Sequence, residues 1–380
     1  MTERANLYAT LGDFVVYRNL EPADERLRGL PEIWPEIGLS SCRIPRKLEP
    51  DYATAVVHFL DQAQALRLPN RPLKRLLYIG DTVMNDGTAI ANLGQQRPIL
   101  GVICAEKPGE AKKVNVNQGV MTANRWGALK DFVPFVTEQG FPLDEAMAAI
   151  IDLDKTAMGA RGRNDGAIDA ARVEAVRRTM AEVLGSQFDM KRFRTIYDEL
   201  NQPPYHPFTA DNQDYLAYIC LIVGGGVYDY ETLLADLAAG RLSIFAQFVE
   251  ICAERLQARA SSELLPVHQE VYAHFRRRDP TPFKSFRYRE YEETVARMDS
   301  LPAETDPGKL LAEEIVITRE VVNLARFLQE RGVLLFGLSD KPDEASIPRA
   351  ELAGEGYASI HQTRMKVVGE AVYEELSALT

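Results

Sequence analysis

Residues 151–156 read Ile-Asp-Leu-Asp-Lys-Thr and follow directly on the apolar run Ala146-Met147-Ala148-Ala149-Ile150. A short apolar run ending in acids reads as a buried strand. Side chains at i and i+2 of a strand point the same way, so Asp152 and Asp154 are expected together at one rim of a sheet, where open α/β sheets bind ligands. One carboxylate placed there can attack phosphorus and carry it as an aspartyl-phosphate. The other can protonate the departing oxygen and then activate water. A surface turn with a threonine cap is the competing reading of a bare Asp-x-Asp, and the apolar run before it weighs against that reading.

A second acidic element, Gly80-Asp81-Thr82-Val83-Met84-Asn85-Asp86, follows the apolar stretch Leu76-Leu77-Tyr78-Ile79. Mg²⁺ takes hard oxygen ligands, usually one or two carboxylates plus phosphate and water. Two strand-end acid clusters could share one such ion, with Asp152, Asp154, Asp81 and Asp86 as its candidate ligands. Asp81 or Asp86 could instead cap the following helix. Ser339 follows the apolar run Val333–Leu338 and could hold a phosphate oxygen, or simply cap a turn. Lys47, in Arg46-Lys47-Leu48-Glu49-Pro50, could offset the charge of a nucleophile and a phosphate; the bland reading is a surface lysine.

The elements that must position these residues alternate. Phe14–Tyr17, Leu76–Ile79, Ile99–Cys104, Ala146–Leu153 and Val333–Leu338 read as strands. Asp51–Leu66, Asp86–Leu93 and Trp126–Val136 read as helices. This alternation predicts an α/β fold with a parallel sheet. From 165 to 330 helical periodicity dominates, as in Ile168–Leu184, Tyr215–Val223, Tyr230–Leu237 and Ile244–Leu256. Leu310–Gln329 is expected as one long amphipathic helix, and Met365–Leu379 as a C-terminal helix.

Net charge is −11 over 380 residues, which disfavours nucleic acid as a partner. Cys42, Cys104, Cys220 and Cys252 are scattered and form no Cys-x-x-Cys pair, so neither a disulfide frame nor a zinc site is expected. No apolar stretch approaches the length of a membrane span, and no apolar signal region opens the chain. A cytoplasmic protein is the expectation. Oligomeric state is not legible.

Taken together, Asp152-Leu153-Asp154-Lys155-Thr156, Ser339, Lys47 and Gly80–Asp86 resemble the four motifs of the haloacid dehalogenase superfamily of Mg²⁺-dependent aspartate-nucleophile phosphatases. The resemblance implies Asp152 as nucleophile, Asp154 as acid/base, Ser339 and Lys47 in the second and third motifs, and Asp81 and Asp86 as metal-binding acids. Lys341 is the fallback for the lysine. The motifs run third, fourth, first, second, a cyclic shift of the family's order. Lys155 stands where the family commonly has glycine. The implied fold is a Rossmann-like core, residues 1–164 plus 311–380, with a large helical cap, residues 165–310, inserted after the first motif. Arg161 and Arg163, in the Gly159–Asn164 flap, could reach substrate, as could Thr156. Arg276-Arg277-Arg278 with Lys284, Arg287 and Arg289 could form a phosphate pocket or only a solvated face.

The expected activity is hydrolysis of a small phosphorylated metabolite. A phosphomutase and a catalytically silent binding module with this fold are the alternatives. A nucleic-acid end phosphatase would need the 276–289 stretch to form one basic face against the acidic balance of the whole.

Overall fold

The computed structural model describes residues 3–258 and 263–378. In chain order its strands are β1 (Arg4–Ala5), β2 (Val15–Val16), β3 (Arg75–Gly80), β4 (Ile99–Cys104), β5 (Val114–Asn117), β6 (Val120–Ala123), β7 (Met147–Asp152), β8 (Ile317–Thr318), β9 (Leu334–Leu338) and β10 (Met365–Val368). Seven form one sheet in the order β2-β9-β7-β3-β4-β6-β5. Every neighbouring pair in it is parallel except β5 with β6. The architecture is thus α/β and Rossmann-like.

Parallel strands are covered on both faces and read as continuous apolar runs. β3, β7 and β9 obey this: nearly every residue in them is buried. One face carries Leu76 and Tyr78 of β3, Ala148 and Ile150 of β7, and Leu334, Phe336 and Leu338 of β9. Against it pack Val56, Phe59 and Leu60 of helix Pro50–Arg67 and Ala89, Ile90 and Leu93 of helix Asn85–Gly94. Pro50 at the first helical turn, with Asp51 beside it, starts the longer of these helices.

The strand order creates one crevice that matters. β3 and β7 are neighbours, yet the chain leaves β3 toward β4 on one side, while β9, the strand paired to β7, lies on the other. Ligand crevices in open sheets lie beyond the carboxyl ends of such diverging strands. Ile79 pairs with Ile151, so Asp81 and Asp152 leave the sheet at nearly the same level.

Two expected helices are corrected. The stretch 310–329 is helix Pro307–Glu313, then β8, then helix Arg319–Gln329. The buried amide of Asn164 donates to the carbonyls of Leu311 and Glu314 and accepts from Val316 N–H, which supplies partners for an interrupted backbone. The β-branched run Ile315-Val316-Ile317-Thr318 favours extension there. The stretch 365–378 begins as β10, which pairs with β1 and β8; among its described residues helix occupies only Tyr373–Ser377, and Leu379 lies outside the described residues. Lys366 is buried in this strand and bonds Glu314 at 2.8 Å, a contact no local pattern announces.

The chain divides into two compact units, residues 1–170 with 294–380, and residues 171–293. The sequence-based limits, 164/165 and 310/311, thus shift. Asp169 is tied to Lys155 at 2.8 Å, and the segment after 294 is held by Lys366, which donates to Leu301 O and pairs with Asp299. The second unit is helical around its own core, including Phe193, Tyr218, Phe248, Phe283 and Phe286. Its 276–289 stretch is largely neutralised from within. Arg276 pairs with Glu250, Lys284 with Asp279, Arg287 with Asp214 and Glu290, and Arg289 with Glu182. Among the described residues no helix is long and apolar enough to cross a membrane.

Candidate active site

Asp152 is the last residue of β7, and Asp81 follows the last residue of β3. Carboxylate oxygens of Asp81, Asp86 and Asp152 all lie within 4.8 Å of one another, and all three residues are buried. Lys47 stands between two of them. Its Nζ is 2.7 Å from Asp152 Oδ1 and 2.5 Å from Asp86 Oδ1. Its ammonium also lies 5.6 Å from the centre of the Tyr78 ring. The lysine that meets the nucleophile candidate is therefore Lys47, while Lys341 Nζ lies 4.0 Å from Asp154 Oδ1.

Asp86 is the organiser of this group. Its Oδ2 accepts from Asp81 N–H (2.9 Å), Thr82 N–H (2.7 Å) and the Thr82 hydroxyl (3.2 Å), and its Oδ1 accepts from the Tyr78 hydroxyl (3.0 Å). With Lys47 added, the roughly four acceptor sites of a carboxylate are filled. Asp86 belongs to the three-carboxylate group expected of it, and its carboxylate also turns inward and fixes the loop that presents Asp81. Gly80 makes this possible, because a Cβ there would stand 2.5 Å from Asp86 Cγ. The sequence places Tyr78 in the strand and Gly80 in the acidic element but assigns neither of them this role. The available signal was a hydroxyl inside an aliphatic buried run, since a buried hydroxyl needs a partner.

Burial and the neighbouring charges together set the titration behaviour. Burial pushes Asp81 up to about 7, with the Asp86 charge adding to the rise and Arg161 opposing it. Burial likewise raises Asp152 well above the usual carboxylate range; Lys47 opposes this, and Asp86 and Asp81 reinforce it. Asp86 goes the other way: burial is overcome by Lys47 and by the hydrogen bonds of the Thr82 loop, so it stays ionised. Burial works against the Lys47 ammonium, but Asp152, Tyr78 and Asp86 outweigh it and hold its pKa well above the ordinary lysine value.

The chain matches no known family model, and no curated protein or solved structure is detectably similar to it.

Asp154 does not share the strand with Asp152. β7 ends at Asp152, and the N–H groups of Ala157 and Met158 fold back on the carbonyls of Asp152 and Leu153, so the i, i+2 argument fails and Asp154 sits in the turn. Its Oδ1 is buried without a hydrogen-bond partner among the described residues, and its side chain is outside the three-carboxylate group. Lys155 adopts φ 64°, the left-handed region that favours glycine, and its ammonium holds both oxygens of Asp169 at 2.8 Å. Thr156 is fully buried; its carbonyl accepts from the Thr318 hydroxyl, and its own hydroxyl has no partner among the described residues.

Ser339 follows Leu338, the register partner of Asp152. Its Oγ accepts from Lys341 N–H at 3.1 Å, so it holds the turn beside the crevice. Arg161 and Arg163 part company. Arg161 donates from Nε to Asp81 Oδ2. Arg163 is committed to Glu106 (2.7 Å) and Glu320 (2.8 Å). Two acids, one of them the fully buried Glu320, hold Arg163 as a brace.

The donor set fits a hard divalent cation. Asp81 and Asp152 supply carboxylate oxygens, neither thiolate nor imidazole is in the group, and such oxygen sites suit Mg²⁺, Ca²⁺ or Mn²⁺. Both acids are buried beside other carboxylates, and burial first and those charges second raise the pKa of each.

Proposed function

We propose that the protein is a Mg²⁺-dependent phosphatase that hydrolyses a small phosphorylated metabolite through an aspartyl-phosphate on Asp152, as a circularly permuted relative of the haloacid dehalogenase superfamily. The observation that supports it is the meeting of Asp81 and Asp152, remote in the chain, at adjacent strand ends with Lys47 against Asp152.

Lys47 favours the ionised form of Asp152 but does not by itself offset the burial that raises its pKa; a cation held by Asp81 and Asp152 would complete that balance. An Asp152 oxygen forms the bond to phosphorus as the ester P–O bond breaks. Asp154, in the turn two residues on, gives its proton to the departing oxygen. The Asp154 carboxylate then takes a proton from water, the water oxygen bonds phosphorus, and the bond to Asp152 breaks to release inorganic phosphate. Asp81 and Asp152 would hold the Mg²⁺, which would supply positive charge to offset the acids and the phosphoryl oxygens. Ser339 and Lys341 line the strand end beside Asp152, where a phosphoryl oxygen needs donors.

Hydrolysis of an aryl phosphate with and without Mg²⁺ tests this. The wild type should turn over only with the ion, and Asp152→Asn should lower kcat by at least about 10³-fold. Asp154→Asn should cost about 10²- to 10⁴-fold. No turnover from folded, Mg²⁺-loaded wild type would leave a binding module; turnover only with a bisphosphate activator would indicate a phosphomutase.

A further inference from the structure

Arg161 is the one arginine of the 159–163 segment that contacts a site acid. Its backbone is fixed: its N–H donates to Lys155 O at 2.8 Å, and its carbonyl accepts from Glu106 N–H at 2.9 Å and Trp126 Nε1 at 3.2 Å. Gly159 and Gly162 flank it at φ 65° and 77°. A Cβ on Gly162 would meet Glu106 O at 1.9 Å, so this loop closes tightly on the segment after β4. The side chain, by contrast, is about one-third exposed. The anchor is rigid and the guanidinium can swing.

Charge balance gives the swing a direction. The three acids are opposed by Lys47, shared between Asp86 and Asp152, and by Arg161 on Asp81. A divalent cation between Asp81 and Asp152 neutralises the cluster without Arg161. It also competes with Nε for the same carboxylate. A guanidinium displaced from Asp81 stays at the crevice rim and is then free to pair bidentately with a phosphoryl group.

We infer that Arg161 is an exchange residue: it covers Asp81 until a divalent cation binds, and the released guanidinium then receives the substrate's phosphate, so that cation binding creates the anion site. This rests on the phosphatase reading for its ligand but not for its test. Equilibrium titrations with Mn²⁺, and with inorganic phosphate at fixed Mn²⁺, involve no turnover. Wild type should bind phosphate at least about tenfold more tightly with Mn²⁺ than without. Arg161→Gln should bind Mn²⁺ about tenfold more tightly than wild type, because its competitor is gone, and lose most of the Mn²⁺-dependent phosphate binding. Arg161→Lys, which keeps the charge but not the fork, should shift both in the same direction by less and serves if the glutamine variant fails to fold by circular dichroism. Unchanged or weaker Mn²⁺ binding in the variants, or phosphate binding in wild type that ignores Mn²⁺, overturns the exchange. If the ordering holds while aryl phosphates are not hydrolysed, the exchange stands and the phosphatase reading falls.

Discussion

At the scale of single residues, Asp81 carries the clearest pH signature. Its folded pKa is about 7 against an ordinary value of 3.8. Between those values the folded chain binds a proton that the unfolded chain has released, so this group's contribution to stability is greatest below pH 4, falls as pH rises toward 7, and is flat above. Asp152, raised for the same reason, adds to the slope with the same sign. Asp81→Asn removes the buried charge while keeping the shape. In cation-free buffer at pH 8 it should raise stability by on the order of 1–3 kcal/mol, and it should gain nothing at pH 4. Chemical denaturation of both proteins across that range checks this. Added Mg²⁺ must displace the proton below pH 7, so its stabilisation of wild type should grow from pH 5.5 to 8 and be absent from the variant. A wild-type profile that is flat without the ion would mean that Arg161 already neutralises Asp81 in full.

At the scale of elements, the 80–86 loop is held by one buried carboxylate that ties a strand end to the first turn of a helix. Gly80→Ala would drive a methyl group into Asp86. Displacing Asp86 frees the N–H groups of Asp81 and Thr82 and the Tyr78 hydroxyl, so the variant should lose about 2–4 kcal/mol in chemical denaturation and bind Mn²⁺ weakly, if it folds. Full stability would show that Asp86 has another resting place. The loop also illustrates what the sequence discloses. β3, β4, β7 and β9 are legible because a parallel strand buried on both faces is a continuous apolar run, and Asp81 and Asp152 are legible because acids end such runs. The inward turn of Asp86 is not, because a ligand acid and an organising acid have the same letter and differ only in which donors surround them. The β5–β6 hairpin is written in the sequence as Val-Asn-Val-Asn-Gln-Gly-Val, with Gln118 and Gly119 at φ 47° and 79° in its two-residue turn; glycine supplies only the second of the two left-handed positions, so the signal is weak. β8 and β10 were hidden for a different reason. They are two and four residues long, their pairing joins distant segments, and Lys366 in β10 is stabilised by Glu314 rather than by water.

At the scale of the whole molecule, β1 pairs Arg4 with Lys366 of β10, which brings segments near the two ends of the described chain into one small sheet. The main sheet is likewise assembled from strands far apart in sequence, with β2 beside β9 and β9 beside β7. The field around this assembly is acidic, with 55 Asp and Glu residues against 44 Lys and Arg. On the phosphatase proposal, a phosphorylated substrate would approach against the net charge and would have to be received by a few local cations, Lys47 and Arg161 foremost. Salt screens the long-range repulsion over a Debye length of about 10 Å at 0.1 M, but it screens buried contacts at the site much less. At constant free Mg²⁺, raising ionic strength from about 0.02 to 0.2 M should accordingly increase kcat/KM for an anionic aryl phosphate by about two- to threefold, with kcat nearly unchanged. A fall in kcat/KM over the same range would mean that the crevice mouth presents a positive potential that outweighs the molecule's net charge, and the basic side chains steering the substrate would have to be sought beyond Lys47 and Arg161.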